Sequence, residues 1–240
     1  MAAPMSKSVI TGCLRAIPLF SDVSGEELDV LASAARSIVA RKGARIFEEG
    51  APADCCFVLT VGEARVVLNT DDGTEILLGV VQAPCLVGEI ALLDRSTRSA
   101  SVVAAGDCQL IRIPSTAFEA LRSNPAFERK IVAHVASTLR EANDQVRAVS
   151  TFTSTARVAW CLGRIARLEG TWDGATVVIP RKPHHELAEM TGCSRETVSR
   201  ALATLKRKNY VSWNDETMRL QIEGLQRYLR GELRLPARAT

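Results

Sequence analysis

The chain has little with which to catalyse a reaction. It holds three histidines in 240 residues, and no Ser/His/Asp grouping, H-E-x-x-H or GxxxxGK[ST] can be found in it. Triad hydrolysis, zinc proteolysis and P-loop chemistry therefore have nothing to stand on. Its seven cysteines include no C-x-x-C pair, and most lie in apolar strings such as the one from Cys55 to Leu59. Buried free thiols are the expectation, because an iron–sulfur or zinc centre needs a ligand cluster that the sequence does not offer. No apolar run approaches the ~20 residues that span a bilayer. The first ten residues carry one lysine and no apolar core, unlike a secretory leader. A cytoplasmic protein without membrane contact, and not an enzyme, is expected.

What is present is an ordinary globular composition, 47% apolar and 24% charged, in a chain long enough for two modest domains or one large one. The net charge is +3, but it is unevenly spread. Residues 1–150 hold 15 Lys/Arg against 18 Asp/Glu, whereas residues 151–240 hold 15 against 9. A mildly acidic front and a basic back point to a polyanionic partner for the back half.

Ser24 to Glu27 has the S-x-x-E form of a capping box before Leu28, Val30 and Leu31, which predicts a helix over 25–35. Over 37–114 the texture is short Val/Ile/Leu runs cut by Gly, Pro and Asp, at 57–61, 64–68, 75–81, 101–105 and 109–113. The 69–73 stretch, Asn-Thr-Asp-Asp-Gly, is a hairpin signal between two of them. Such spacing implies an antiparallel barrel or roll. Beyond Pro114 the pattern turns helical, first at 115–122 and then from Pro125, where a proline costs the first turn nothing. Val132, Val135, Leu139, Ala142, Val146 and Val149 follow at intervals of 3, 4, 3, 4 and 3. That narrow stripe fits a seam with a second copy, or else packing on the chain's own roll. A stiff Ser/Thr-rich hinge is expected at 150–155. A helix over 156–169, a turn at 170–174, a strand over 176–179, two helices and a hairpin around 214–216 complete the reading. The tail from Gly224 is dotted with arginine and shows no clear periodicity beyond one possible helical turn.

Two stretches carry chemistry. Residues 87–100 read Val-Gly-Glu-Ile-Ala-Leu-Leu-Asp-Arg-Ser-Thr-Arg-Ser-Ala. Gly88 lets backbone approach a ligand closely, a turn of helix from Glu89 through Ile90 and Ala91 aims N–H groups at an anion, and Arg98 and Ser99 add a charged fork and a hydroxyl. The stretch resembles the phosphate-binding cassette of cyclic-nucleotide-binding domains, F-G-E-[LIV]-A-L-x(4)-[PV]-R-[AST]-A, with Val87 in place of the aromatic and Thr97 before the arginine. The resemblance implies that Glu89 holds the ribose 2′-OH and Arg98 the cyclic phosphate, and that the base meets the long helix near Thr138 and Asn143. Cyclic AMP is the ligand most frequent in such a family, and cyclic GMP is compatible with the serine after the arginine. In the alternative, Glu89 and Arg98 pair with each other in an empty roll.

Residues 184–202 form the second stretch. Leu187 and Ala188 open an apolar face, Gly192 permits a tight turn, and Ser194 caps a second helix by accepting from the N–H of Glu196 or Thr197. Val198, Ala201, Leu202 and Leu205 turn inward, leaving Arg195, Glu196, Ser199 and Arg200 to project. The run from Gly192 to Arg200 resembles the recognition segment of the Crp/Fnr superfamily, and the resemblance extends over about residues 10–222. It implies an α+β architecture: a β-roll domain over 1–124, a dimerisation helix and hinge over 125–150, and a winged helix-turn-helix over 151–240. It further implies a homodimeric transcription regulator on a palindromic TGTGA-like site, with double-stranded DNA and RNA polymerase as partners. Arg195 and Arg200 would donate to guanine and Glu196 would accept from cytosine. The resemblance places His184 and His185 near the phosphate backbone, where a well-known member of the family has Arg and Gln, and implies weaker or pH-sensitive phosphate contacts. No metal is expected there, since adjacent helical side chains point apart. An N-terminal cysteine cluster for an iron–sulfur centre and axial ligands for haem are both lacking; His134, on the long helix, is the only histidine before residue 184. A ligand-independent dimeric regulator with a structural roll is the competing reading.

Overall fold

The computed structural model describes residues 5–69 and 75–232. Contacts divide the chain into two compact units, Met1–Leu139 and Arg140–Thr240, and the division falls inside the long helix.

The first unit opens with α1 (Lys7–Arg15), a 3₁₀ turn at Pro18–Phe20 and α2 (Gly25–Ala34). The capping box is present: Ser24 accepts from Glu27 N–H while the Glu27 carboxylate accepts from Ser24 N–H. Strands β1 (Arg36–Ala40), β2 (Arg45–Phe47), β3 (Cys55–Val61), β4 (Glu63–Asn69), β5 (Glu75–Gln82) and β6 (Cys85–Val87) follow. Next come the single turn α3 (Ile90–Leu93), then β7 (Ser101–Ala104), β8 (Cys108–Pro114), α4 (Ser115–Arg122) and α5 (Pro125–Thr151). The strands form two antiparallel four-stranded sheets, ordered β1-β8-β3-β6 and β2-β7-β4-β5, which together make the expected roll. The 69–73 turn falls largely outside the described residues, but its flanks behave as a hairpin: Asn69 lies opposite Glu75 and the two strands run antiparallel.

The unbroken apolar string in β3 reflects burial on both faces. Cys56 and Val58 face the helical layer with Ile111, Ile113, Phe118 and Phe127, whereas Cys55, Phe57 and Leu59 face the roll interior with Val87, Val102 and Leu110. A strand covered on both sides needs no alternation. Phe127 of α5 stacks on Phe20 at 5.6 Å and meets Phe118 edge-on at 5.8 Å. The start of α5 is also wired to α2. Asn124 accepts from the N–H groups of Ala126 and Phe127, and its amide donates to Glu27, so two helix caps share one carboxylate.

The second unit contains α6 (Ser154–Glu169), β9 (Thr171–Asp173), β10 (Thr176–Pro180), α7 (His184–Thr191), α8 (Arg195–Arg207), β11 (Val211–Trp213), β12 (Thr217–Leu220) and α9 (Ile222–Glu232). A sheet ordered β11-β12-β10-β9 backs a core of Val158, Leu162, Ile165, Leu187, Val198, Leu202, Leu205 and Leu220.

Three expectations need correction. The break within 150–155 is confined to residues 152–153, because α5 continues to Thr151 and α6 begins at Ser154; the N–H of Phe152 still donates to Ala148, and Thr153 caps α6 from its side-chain oxygen. The 170–174 turn contains β9, which pairs with β10. The tail holds more than one helical turn: α9 buries Leu225 and lays Ile222, Tyr228 and Leu229 on the core. Most of the described stripe on α5 is open to solvent. Val132, Leu139 and Val146 are each more than 60% exposed, Ala142 is exposed and Val135 half-buried, while the side chain of Val149 lies outside the described residues. Among the described residues no helix is long and apolar enough to cross a membrane.

Candidate ligand and nucleic-acid sites

Of the described residues, Glu89 and Arg98 are the only charged ones that are buried, at 5% and 4% exposure. They are not bonded to each other. Arg98 donates from Nη1 to the Gly88 carbonyl and from Nη2 to the Cys55 carbonyl, each at 2.6 Å, and its guanidinium lies 4.4 Å from the centre of the Phe47 ring. The backbone on either side is pinned, with Arg98 N–H donating to Ala51 and Gly50 N–H donating to the Arg98 carbonyl. Gly88 sits at φ +80°, and a Cβ there would stand 2.6 Å from Arg98 Nη1 and 3.0 Å from Phe47. Backbone conformation and space both require glycine. Arg98 Nε has no partner, and among the described residues no carboxylate lies within ion-pair distance of this guanidinium. A buried cation without a counter-charge is costly to hold, and the region is thereby set up to attract an anion.

Glu89 takes a different partner from the one considered in the sequence alternative. Its Oε1 lies 3.1 Å from Nε2 of His134 on α5. The α3 turn starts beside it: Leu92 and Leu93 N–H bond back to the Glu89 carbonyl, which leaves the N–H groups of Ile90 and Ala91 without an acceptor inside the turn. Ser99 is exposed. Thr138 is exposed too, with its hydroxyl donating to the His134 carbonyl one turn earlier. Asn143 is exposed in the second unit. Burial, with the Glu89 charge next, pushes Cys85 up to about 12 and also raises Cys56. Burial chiefly raises Cys55.

In the second unit α7 ends at Gly192, whose φ of +62° makes the left-handed turn. Ser194 then caps α8 by accepting from Thr197 N–H at 3.2 Å. Val198, Ala201, Leu202 and Leu205 are buried, and Arg195, Glu196 and Arg200 are exposed. Ser199 is half-buried, donating to the Arg195 carbonyl at 2.9 Å with His184 Nδ1 at 2.7 Å. A hydroxyl has one proton to give, so Nδ1 of His184 is the donor in that contact. His185 is exposed.

Each of the two units matches a known domain family. The family model of the cyclic nucleotide-binding domain matches residues 38–124, and that of the Crp-like helix-turn-helix domain matches residues 156–228. The cyclic AMP receptor protein of Thermus thermophilus is 31% identical over 209 residues, covering 87% of this chain and 94% of that protein. The chain belongs to the Crp/Fnr family of transcription regulators. Two solved structures share its fold. A CRP/FNR-family transcriptional regulator, also from Thermus thermophilus, gives a TM-score of 0.64 at 23% identity, covering 81% of this chain and 98% of that one. The c-di-GMP-responsive global regulator of Xanthomonas campestris gives 0.67 at 19%, covering 82% and 99%.

For this Crp/Fnr regulator, the sequence marks the 87–100 and 184–202 stretches but not the distant partners that hold their side chains. Phe47 and the Cys55 carbonyl, which position Arg98, lie some 40–50 residues away, and no local pattern marks them. The sequence brings up His134 only in setting haem aside, although being the single histidine before residue 184 is a signal. Arg181 and Lys206 flank Trp213, with Arg181 also donating to the Asn214 carbonyl at 2.7 Å. They place cationic side chains beside the β11–β12 hairpin, a feature foreshadowed only by the general basic balance.

Proposed function

We propose that this regulator is switched by a cyclic nucleotide, cyclic AMP in the first instance, and acts in the cytoplasm as a homodimer on a palindromic, TGTGA-like site. The observation that carries the reading is Arg98, a buried guanidinium with no carboxylate partner and an unpartnered Nε, beside a glycine held at φ +80°. A cyclic phosphate would supply the missing negative charge. Gly88, Ile90 and Ala91 would admit it to backbone N–H groups, Ser99 would add a hydroxyl, and Glu89 would accept from the ribose. Thr138 and Asn143 are the candidates on α5 for the base.

The exposed stripe of Val132, Leu139 and Val146 supports dimerisation along α5, since an apolar a/d seam left in water is unfavourable. Two copies would present two α8 helices to successive major grooves, ~34 Å apart. There Arg195 and Arg200 would read guanine, Glu196 cytosine, and Ser194, Ser199, His184 and His185 the surrounding backbone. RNA polymerase is the partner such a regulator addresses once on DNA.

A ligand-independent roll is the second reading. It is favoured by the two carbonyls that already satisfy both Nη atoms of Arg98. Calorimetric titration separates the two. Heat from cyclic AMP supports the first reading, and heat from cyclic GMP or cyclic di-GMP alone would change the ligand. Heat from none of them would favour the second.

A further inference from the structure

The Glu89 carboxylate has one protein partner among the described residues, His134, whose Nε2 meets Oε1 at 3.1 Å. An ionised carboxylate offers only acceptors, so the proton in this contact sits on Nε2. The contact is well shielded on one side: the Glu89 side chain is 6% exposed and that of His134 is 35% exposed. Oε2 makes no such bond among the described residues. A carboxylate fixed through one oxygen presents the other in a set direction, whereas a free one rotates about its last bond and loses that direction.

We propose that His134 is the positioning residue for the sugar-reading carboxylate. By holding Oε1 it aims Oε2 at the 2′-hydroxyl of a bound cyclic nucleotide, and so sets the preference for ribose over deoxyribose. The inference rests on the nucleotide reading given above, but it concerns a residue outside the cassette. Because His134 rides on α5, the same contact ties the sugar end of the ligand to the helix that carries the exposed Val132 and Leu139.

The test is a titration of wild type, His134→Ala and His134→Gln with cyclic AMP and with 2′-deoxy cyclic AMP, read as the ratio of the two dissociation constants. A hydrogen bond to a charged group makes the wild-type ratio about tenfold or more. The alanine variant is expected to bring it within about threefold, and the glutamine variant to restore it, since its amide N–H can take the place of Nε2–H. A ratio unchanged in His134→Ala overturns the proposal. So does an equal weakening for both ligands, which would mark His134 as structural, or tighter ribonucleotide binding, which would mark it as a competitor. If wild type binds neither nucleotide, the underlying reading fails first, and this inference falls with it.

Discussion

Replacing Gly88 with alanine tests the cradle without touching either charged residue. Two costs add there. Holding an L-residue at φ +80° costs about 1–2 kcal/mol. A Cβ 2.6 Å from Arg98 Nη1 also pushes the guanidinium off the Gly88 carbonyl, losing a charge-assisted hydrogen bond of about 1.5–3 kcal/mol. The sum is about 2.5–5 kcal/mol.

Two other glycines separate these terms. Gly43 has φ +82° with nothing within 4 Å of a Cβ, so Gly43→Ala should show the backbone cost alone. Gly106 has neither feature, and Gly106→Ala should lie within ~0.5 kcal/mol of wild type. All three tryptophans and both tyrosines lie beyond residue 151, so their fluorescence reports the second unit. Unfolding of the roll is better followed through denaturant-dependent alkylation of the buried thiols Cys55, Cys56 and Cys108. Equal destabilisation by Gly88→Ala and Gly43→Ala would show that Arg98 does not depend on the space at Gly88, and would refute the geometry described for it.

The other predictions concern the helices. Arg200→Ala, which removes an exposed cation from α8, should cost about 1–3 kcal/mol on the preferred duplex and relax selectivity at one base pair, as read by binding to single-substitution duplexes. Leu139→Glu places a charge in the exposed α5 stripe and should shift a dimer to monomer in sedimentation; an unchanged mass would remove α5 from the interface. Glu27 and Glu128 are both held below the ordinary value of 4.5, Glu27 first by the Ser24 hydroxyl and then by Asn124, and Glu128 by Arg122. A lowered carboxylate stabilises the fold above its unfolded pKa, and that contribution is lost as pH falls through the folded value. The protection factors of the amides at residues 125–130, corrected for the pH dependence of intrinsic exchange, should therefore fall below about pH 4 relative to about pH 6, and protection factors that did not change would contradict the wiring of the α5 cap.

Much of this is legible in the sequence because the relevant signals are local. The Ser24/Glu27 box, the proline opening α5, Gly192 before Ser194 and the inward Val198, Ala201, Leu202 and Leu205 each depend on neighbours within one or two turns. What stays hidden depends on chain segments far apart. The inward turn of Arg98 is set by Phe47 and Cys55, and the orientation of Glu89 by His134, 45 residues on. The α9 helix carries Gly224, a poor helix former, in its first turn. The structure shows why glycine is tolerated there: a Cβ would stand 2.5 Å from the Tyr210 ring, so its absence lets the helix lie against that ring. The α1 helix escapes notice because it buries only Ile10 and Leu14, too few to mark a period.

The central claim is that Arg98 reads a cyclic phosphate and through it controls DNA binding. The direct measurement is anisotropy of a labelled palindromic duplex, titrated with wild type and with Arg98→Ala at zero cyclic AMP and at a concentration just sufficient to saturate wild type. Wild type should bind more tightly with the nucleotide. In the variant the two curves should merge, because losing charge-assisted donors costs about 1.5–3 kcal/mol of ligand affinity, on the order of 10- to 150-fold. An Arg98→Ala protein that kept the full nucleotide-dependent gain in DNA affinity would contradict the account.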